Sequence, residues 1–380
     1  MTEKKLHIIC LDVPFPTDYG GAVDMYYRIQ ALKEMGFKLT IHIFEYGRGK
    51  QKALEAFGSV NYYRRKRSLW YLFSKRPFIV ESRNSKELLD RLLSDSAPIL
   101  FEGIHTTLYL KHPEIQKRTT LVRMHNVEDE YYRGLGKQSG LLRKLFFQME
   151  AVKLKKYQSI LADCSAILAI KEGDANQLYE LNSNVYVLPA SFPPLEGEYI
   201  PTKRYALFHG NLSVPENIQA ALYLIKNLSG VINQEFSLVI AGKRPPKKLA
   251  LLCQKSGVTL FSNPSEKQMN QLIQEAHIHV LHTENASGIK LKLLSCLCSS
   301  GHLLVNPQMV EGTPFAEFCV IAENAKDLKI HFLGLKNVSL SREDYGKRKT
   351  FVETNFNNVE NCRLIARFLN DEETTLRKNG

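Results

Sequence analysis

The stretch "HTENASGIKLKLLSCLCSSGHLLVN", residues 282–306, decides how the rest of the chain is read. A Ser-Gly turn runs into an apolar helix, and Gly301 then leads into the apolar strand "HLLVN". Such a turn presents unpaired backbone amides at a helix start, where the positive end of the helix dipole also favours an anion. The helix carries Ser295, Cys296 and Cys298. The two cysteines are too close together for a zinc clasp and lack a second ligand pair, so they read as buried thiols. All seven cysteines of the chain lie scattered, mostly in apolar segments, which predicts free thiols in a reducing compartment.

Working outward, the same strand–helix rhythm fills both directions. Upstream lie the strand "YALFHGNL", the helix "ENIQAALYLIKNL", the strand "FSLVIAG", the helix "KKLALLCQKSG" and the strand "VTLFSN". The helix "SEKQMNQLIQEA" and the strand "HIHVLHT" follow. Before them, residues 189–204 are dense in proline, which can continue neither a helix nor an inner strand, so 191–204 reads as a linker. The first 190 residues repeat the pattern, from "LHIICLDV" through "KLTIHIFEY", "APILFEGIHT", "RTTLVRMHNV" and "SAILAI" to "NVYVLPA". Residues 141–162 read as one long basic amphipathic helix, and residues 346–380 as a helical tail. Strands alternating with helices mean βαβ units and parallel sheets. The expected architecture is α/β, with two doubly wound Rossmann-like domains, 1–190 and 205–345, facing across a cleft at the carboxyl ends of their strands.

A chain of 380 residues with 44% hydrophobic and 24% charged content is an ordinary globular protein of two-domain length. No apolar run reaches transmembrane length. The opening "MTEKKLHIICLDVPFP" lacks a small-residue cleavage site and reads as a first buried strand. The formal net charge is +12, and residues 61–86 hold eight basic residues and six aromatics against Glu81 alone. Three readings compete for that segment: a solvated basic face over core aromatics, contact with anionic lipid headgroups, or a nucleic-acid patch. No nucleic-acid motif accompanies it, so the expected partner is an anionic membrane surface and not nucleic acid. The location this implies is cytoplasmic, peripheral on the inner face of the plasma membrane.

Four constellations sit at predicted strand ends. In "PFPTDYGGA", Gly20 and Gly21 precede a helix and let amides approach an anion or a sugar closely. In "FEGIH", Glu102 is an acceptor for substrate hydroxyls or a partner for His125. In "MHNVEDEYYRG", His125 and Asn126 end a strand, while Glu128, Asp129 and Glu130 open a helix where acids suit the dipole. In "FHGNLSVPEN" and "VIAGKR", Gly210, Asn211, Gly242 and Lys243 join the Gly288 turn, and Lys243 and Lys290 suit a diphosphate. No G-x-G-x-x-G and no G-x-x-x-x-G-K-[ST] occurs, which excludes a dinucleotide fingerprint and a P-loop. No D-x-D occurs either.

Taken together, "SGIKLKLLSCLCSSG" followed by "VEGT", "MHNVEDEYYRGL", "FHGNLSVPEN" and "VPFPTDYGGAVDMYYRIQALKEMGFKLTIHIF" resemble the motifs of GT-B fold glycosyltransferases of family 4. The correspondence runs in order from residue 5 to about 368. The resemblance implies a retaining, metal-independent hexosyltransferase without a cofactor. It would move a sugar from a nucleoside-diphosphate-sugar donor to a glycan or lipid-linked acceptor, in cell-envelope or capsular polysaccharide synthesis. Carried onto matching positions, Gly20 and Gly21 border the phosphate and acceptor, His125 contacts the transferred sugar, and Gly288, Ile289 and Lys290 hold the diphosphate. Many members carry two glutamates where this chain has Ser287 and Ser295, with Glu284 the available substitute in the preceding loop. A serine lacks the charge that strengthens a carboxylate's bond to a ribose hydroxyl. The alternatives are therefore a non-catalytic GT-B partner with a degenerate donor site, or a GT-B enzyme of another reaction, such as a nucleotide-sugar epimerase.

Overall fold

The computed structural model describes residues 4–137, 140–194, 197–284 and 291–369. They form two compact units, one running to Pro193 and resuming at Phe356, the other lying between Pro194 and Asn355. The first unit is built on a seven-stranded sheet in the order β3-β2-β1-β4-β5-β6-β7. Its strands are β1 (Lys5–Cys10), β2 (Lys38–Glu45), β3 (Gly58–Arg64), β4 (Ile99–Glu102), β5 (Thr120–Met124), β6 (Ala166–Ala169) and β7 (Val185–Val187). The second holds six strands ordered β10-β9-β8-β11-β12-β13. These are β8 (Lys203–His209), β9 (Ser237–Gly242), β10 (Thr259–Ser262), β11 (Ala276–Leu281), β12 (His302–Val305) and β13 (Val320–Ile321). Every paired strand is parallel.

The central strands are mostly apolar because helices cover both faces of a parallel sheet. In the first unit one face packs Ile9, Phe101, Val122 and Ile167 under the 78–116 and 141–163 segments. The other packs Ile8, Ile41, Leu100 and Leu168 under the Gly20–Glu34 helix. The chain's last described helix, Asn358–Leu369, returns to that second face through Cys362 and Ile365. The Asn358 amide clamps it there, accepting from the Phe192 N–H at 3.0 Å and donating to the Phe192 carbonyl at 2.6 Å. Strand order reverses between β1 and β4 in one sheet and between β8 and β11 in the other. At such switch points the loops leaving the carboxyl ends diverge and open a crevice for a ligand.

Two expectations need correction. The 141–162 segment is a helix only over Leu141–Tyr157, then tightens into a 3₁₀ turn at Gln158–Asp163. The tail is two helices, Arg342–Asn355 and Asn358–Leu369. Asn357 restarts the second one, its side chain accepting from the Glu360 N–H at 3.0 Å. The basic segment, to which the sequence reading assigns no secondary structure, begins as edge strand β3, whose Tyr63 is buried and whose hydroxyl lies 2.8 Å from His42 Nδ1.

Candidate functional site

The loops at the β1/β4 switch point and the end of β5 bring together a buried network of charge. Asp24 and Arg28 lie one turn apart on the inner face of the Gly20–Glu34 helix, Glu102 ends β4, Arg123 sits within β5, and His125 follows it. Arg28 Nε donates to Glu102 Oε1 at 2.8 Å, and its Nη2 donates to Asp24 Oδ2 at 2.6 Å. Arg123 reaches the same Asp24 oxygen from Nη2 at 3.1 Å and also donates to the Ala169 and Leu188 carbonyls. Asp24 Oδ1 accepts the Ser191 N–H at 2.6 Å. Glu102, Arg28 and Arg123 are wholly inaccessible to solvent.

Two carboxylates and two guanidiniums balance, as buried charges must to avoid a large desolvation penalty. Burial works to raise the Asp24 pKa, but Arg123 and Arg28 outweigh it and hold the group well below the carboxylate range. Glu102 behaves alike: burial opposes ionisation, and Arg28 with His125 more than offsets it. Glu102 is therefore an acceptor, so the 2.8 Å contact from His125 Nε2 to Glu102 Oε2 fixes the proton on Nε2. The other ring nitrogen lies 3.5 Å from Asp24 Oδ2. Glu102 is in contact with His125, one of the two partners expected for it. The Glu102 side chain has no exposed surface.

A second layer lies beside it. Gly103 has φ +80°, which only glycine adopts without strain, and a Cβ there would stand 2.8 Å from His105 Nδ1. His105 is held neutral by burial and by Arg83, and its Nε2 is 4.0 Å from Glu128. Glu128 is buried, and burial raises its pKa to about 7 although Asn126 donates to it at 3.4 Å. Glu128 does open its helix, as expected, but burial leaves its carboxyl only about half ionised at neutral pH. Arg83 is also buried and spends its guanidinium on the Leu11 and Ile79 carbonyls. Gly20 and Gly21 are the first residues of their helix, and no side chain caps that end.

In the second unit the loops after β8, β9 and β11 carry the other expected residues. A Cβ on Gly242 would overlap the Gly210 carbonyl oxygen, so glycine is required where β9 leaves the sheet. Asn211 folds its loop by accepting from Ser213 N and Oγ at 3.1 and 2.7 Å. Lys243 and Glu284 are exposed. Ser295 donates its hydroxyl to the Lys292 carbonyl of its own helix at 2.8 Å. Ser287, Gly288, Ile289 and Lys290 lie outside the described residues. Cys296 and Cys298 are free and buried.

Asp24, Arg28, Arg123 and Lys292 were not singled out from the sequence. The i,i+4 spacing of Asp24 and Arg28 on the face of Met25, Ile29 and Leu32 was the available signal, as was an arginine inside the apolar strand "TLVRM". Lys292 lies on the Leu291–Leu297 helix, donates to Asn217 Oδ1 at 2.9 Å and stands 5.3 Å over the Phe208 ring.

No protein-family model matches the chain. A Klebsiella pneumoniae protein, described as an uncharacterised 44.6 kDa protein in a cps region, is 23% identical over 379 residues, covering 93% of this chain and 96% of that one. Among solved structures, TarM superposes with a TM-score of 0.68 at 11% identity, covering 98% of this chain and 99% of its own. HepE from Anabaena, in complex with UDP, gives 0.67 at 12% identity over 96% and 99%. WaaG, a glycosyltransferase involved in lipopolysaccharide biosynthesis, gives 0.66 at 11% identity over 96% and 100%. The chain therefore has the GT-B fold along nearly its whole length.

Proposed function

We propose that the chain is a retaining, metal-independent hexosyltransferase that moves a sugar from a nucleoside-diphosphate-sugar to a glycan or lipid-linked acceptor, in capsular polysaccharide synthesis. The observation that carries this reading is His125, held at the carboxyl end of β5 by the Glu102–Arg28–Asp24 network in a chain of GT-B fold. The relative from a cps region supports the capsular setting, and the UDP held by HepE supports the donor class. The domain division follows the reading: acceptor side in 1–190, donor side in 205–345.

In this reading His125 contacts the transferred sugar, and Glu102 acts only through His125, fixing its tautomer and ring orientation. Gly20 and Gly21 offer uncapped amides to a phosphate or the acceptor, and Asn126 is assigned to donor binding. Gly210, Asn211, Lys243, Glu284, Ser287, Gly288, Ile289, Lys290 and Ser295 form the donor side. Preorganised amides and ammonium groups there stabilise the departing diphosphate, the main catalytic contribution such a site offers. Residues 61–86 face an anionic membrane surface.

A thermal-shift screen of nucleoside diphosphates and their sugars tests the reading. One nucleotide class should raise the melting temperature, since a ligand that binds only the native state stabilises it. Lys290→Ala should abolish that shift, and a shift that survives removes Lys290 from the diphosphate. The second reading, a non-catalytic GT-B protein, is favoured by one observation: the Ser295 hydroxyl is already spent on its own helix. It predicts no response to any nucleotide.

A further inference from the structure

We infer that the Leu69–Phe73 turn and the Leu141–Tyr157 helix form one surface that inserts shallowly into an anionic lipid bilayer. The inference extends the membrane contact proposed for residues 61–86 to a second element, and it does not depend on glycosyl transfer.

Eight large apolar side chains on these two elements are each 50 to 84% exposed: Leu69, Trp70, Phe73, Leu141, Leu142, Leu145, Met149 and Val152. Soluble proteins rarely leave such groups together in water. On the helix, positions 141, 145, 149 and 152 recur at helical spacing and share one face. The opposite face buries Glu150, Ala151 and Leu154. The helix is thus apolar on both sides, although only one of them meets the core.

The two elements are fixed to each other. Lys153 pairs with buried Glu150 at 2.9 Å and donates to the Leu72 carbonyl at 2.8 Å. Glu150 also accepts the Phe78 N–H, while the Phe78 ring meets Tyr71 and Phe146, each at 6.3 Å between centroids. Tyr71 and Phe146 are the inward anchors that leave Trp70, Phe73 and Leu145 pointing out.

Charge names the occupant. Arg64, Lys66, Arg67, Lys75, Arg76, Arg143, Lys144, Lys155 and Lys156 are all exposed on or beside these elements. Neither 64–76 nor 141–157 has an exposed carboxylate, since Glu150 is buried. Of these bases, Arg76 alone reaches an acid among the described residues, Glu81 at 3.4 Å. Exposed leucines ringed by bases match a surface that is apolar inside and negative at its rim, which describes a bilayer with anionic headgroups. A nucleic acid would use the bases and aromatics but leave Leu141, Leu142, Leu145, Met149 and Val152 in water. No helix among the described residues is long and apolar enough to cross a membrane, so this contact is interfacial.

Trp70 is the chain's single tryptophan, so it reports on this surface alone. The full chain is mixed at low salt with vesicles of phosphatidylcholine, or of phosphatidylcholine with phosphatidylglycerol. Emission should shift to the blue with the anionic vesicles and be quenched by lipids brominated high on the acyl chain. Leu142→Glu with Leu145→Glu should lower vesicle partitioning by at least about tenfold, the scale set by keeping two leucines out of the apolar layer. Both positions are exposed, so the melting temperature and the nucleotide response should not change. Unchanged Trp70 emission with anionic vesicles overturns the proposal, as does vesicle binding without bromolipid quenching. Self-association without vesicle binding gives the face to a second copy of the chain and also overturns it.

Discussion

Replacing Glu102 with glutamine changes one atom and tests what holds His125. In the native protein Arg28 and Arg123 face Asp24 and Glu102, and none of the four groups has more than a trace of surface. Glu102→Gln leaves two guanidiniums against one carboxylate, a net buried positive charge. It also turns a carboxamide NH₂ or a weaker carbonyl acceptor toward His125 Nε2. Breaking a buried pair on one side costs about 3–5 kcal/mol. For a unit of this size that is a fall in melting temperature of roughly 6–20 °C, at about 2–4 °C per kcal/mol. The assay is differential scanning calorimetry with urea unfolding followed by circular dichroism. The acid limb supplies a second signature. Glu102 has a folded pKa below its unfolded one, so its stabilisation is complete above about pH 4.3 and is lost as pH falls through the folded value. Glu102→Gln should therefore lose less stability on acidification than the wild type. Arg28→Met with Glu102→Leu should be less damaging than Arg28→Met alone, because it leaves no excess charge. A melting temperature for Glu102→Gln within about 2 °C of wild type, a shift worth under about 1 kcal/mol, would refute the reasoning.

The same substitution at Glu128 should act in the opposite direction. Burial lifts its pKa to about 7, so the folded state holds a proton the unfolded chain releases, and stability falls as pH rises from about 4.5 to 7. Glu128→Gln should then stabilise the protein at pH 8 by about 1–3 kcal/mol, read by urea unfolding across pH. His7 Nδ1 lies 2.8 Å from His42 Nε2, and this His7–His42–Tyr63 chain should show acid sensitivity of another origin. Burial lowers both histidines, His42 to about 3, so stability is full above about pH 6.5 and falls below it by up to about 1.4 kcal/mol per pH unit and group. His42→Gln should flatten that decline. Gly103→Ala, forced to φ +80° against His105, should cost about 1–3 kcal/mol in urea unfolding. Lys243→Ala should weaken the nucleotide that wins the thermal-shift screen by about tenfold and reduce its salt dependence, as measured by titration calorimetry.

The doubly wound pattern was legible because strands covered on both faces are continuous apolar runs. "LHIIC", "ILFE", "AILA" and "HIHVL" can be read without knowing their neighbours. Edge strand β3 was not, because its half-exposed "GSVNYYR" has no such run and passes directly into three more basic residues. The two helices of the tail merged in the reading because the sequence around Phe356 and Asn357 offers only an asparagine cap, and no glycine or proline, as a break. The rim positions were legible for a related reason. A glycine or a His-Asn pair after an apolar strand has few structural uses, so Gly210, Gly242 and His125 stood out.

The network behind His125 was hidden because its members look like surface residues in their own segments. Asp24 and Arg28 form an ordinary i,i+4 pair, and only Glu102, 74 residues from Arg28, and Arg123, 99 from Asp24, make them a core feature. Burial of a charge is a property of its partners, and partners so far apart leave no periodic trace. A charged residue at an apolar phase should therefore be read as a query for an opposite charge elsewhere at an apolar phase. Arg123 within "TLVRM" and Asp24 on the face of Met25 and Ile29 answer each other in that sense. Glu102 and Glu128 show why the distinction matters for function. One is buried against Arg28 and His125 and ionised, the other buried almost without such partners and about half protonated at neutral pH, though they look alike in sequence. Only the first can fix the proton on His125 Nε2, so the pair of glutamine substitutions separates the residue that orients the site from the one that merely adjoins it.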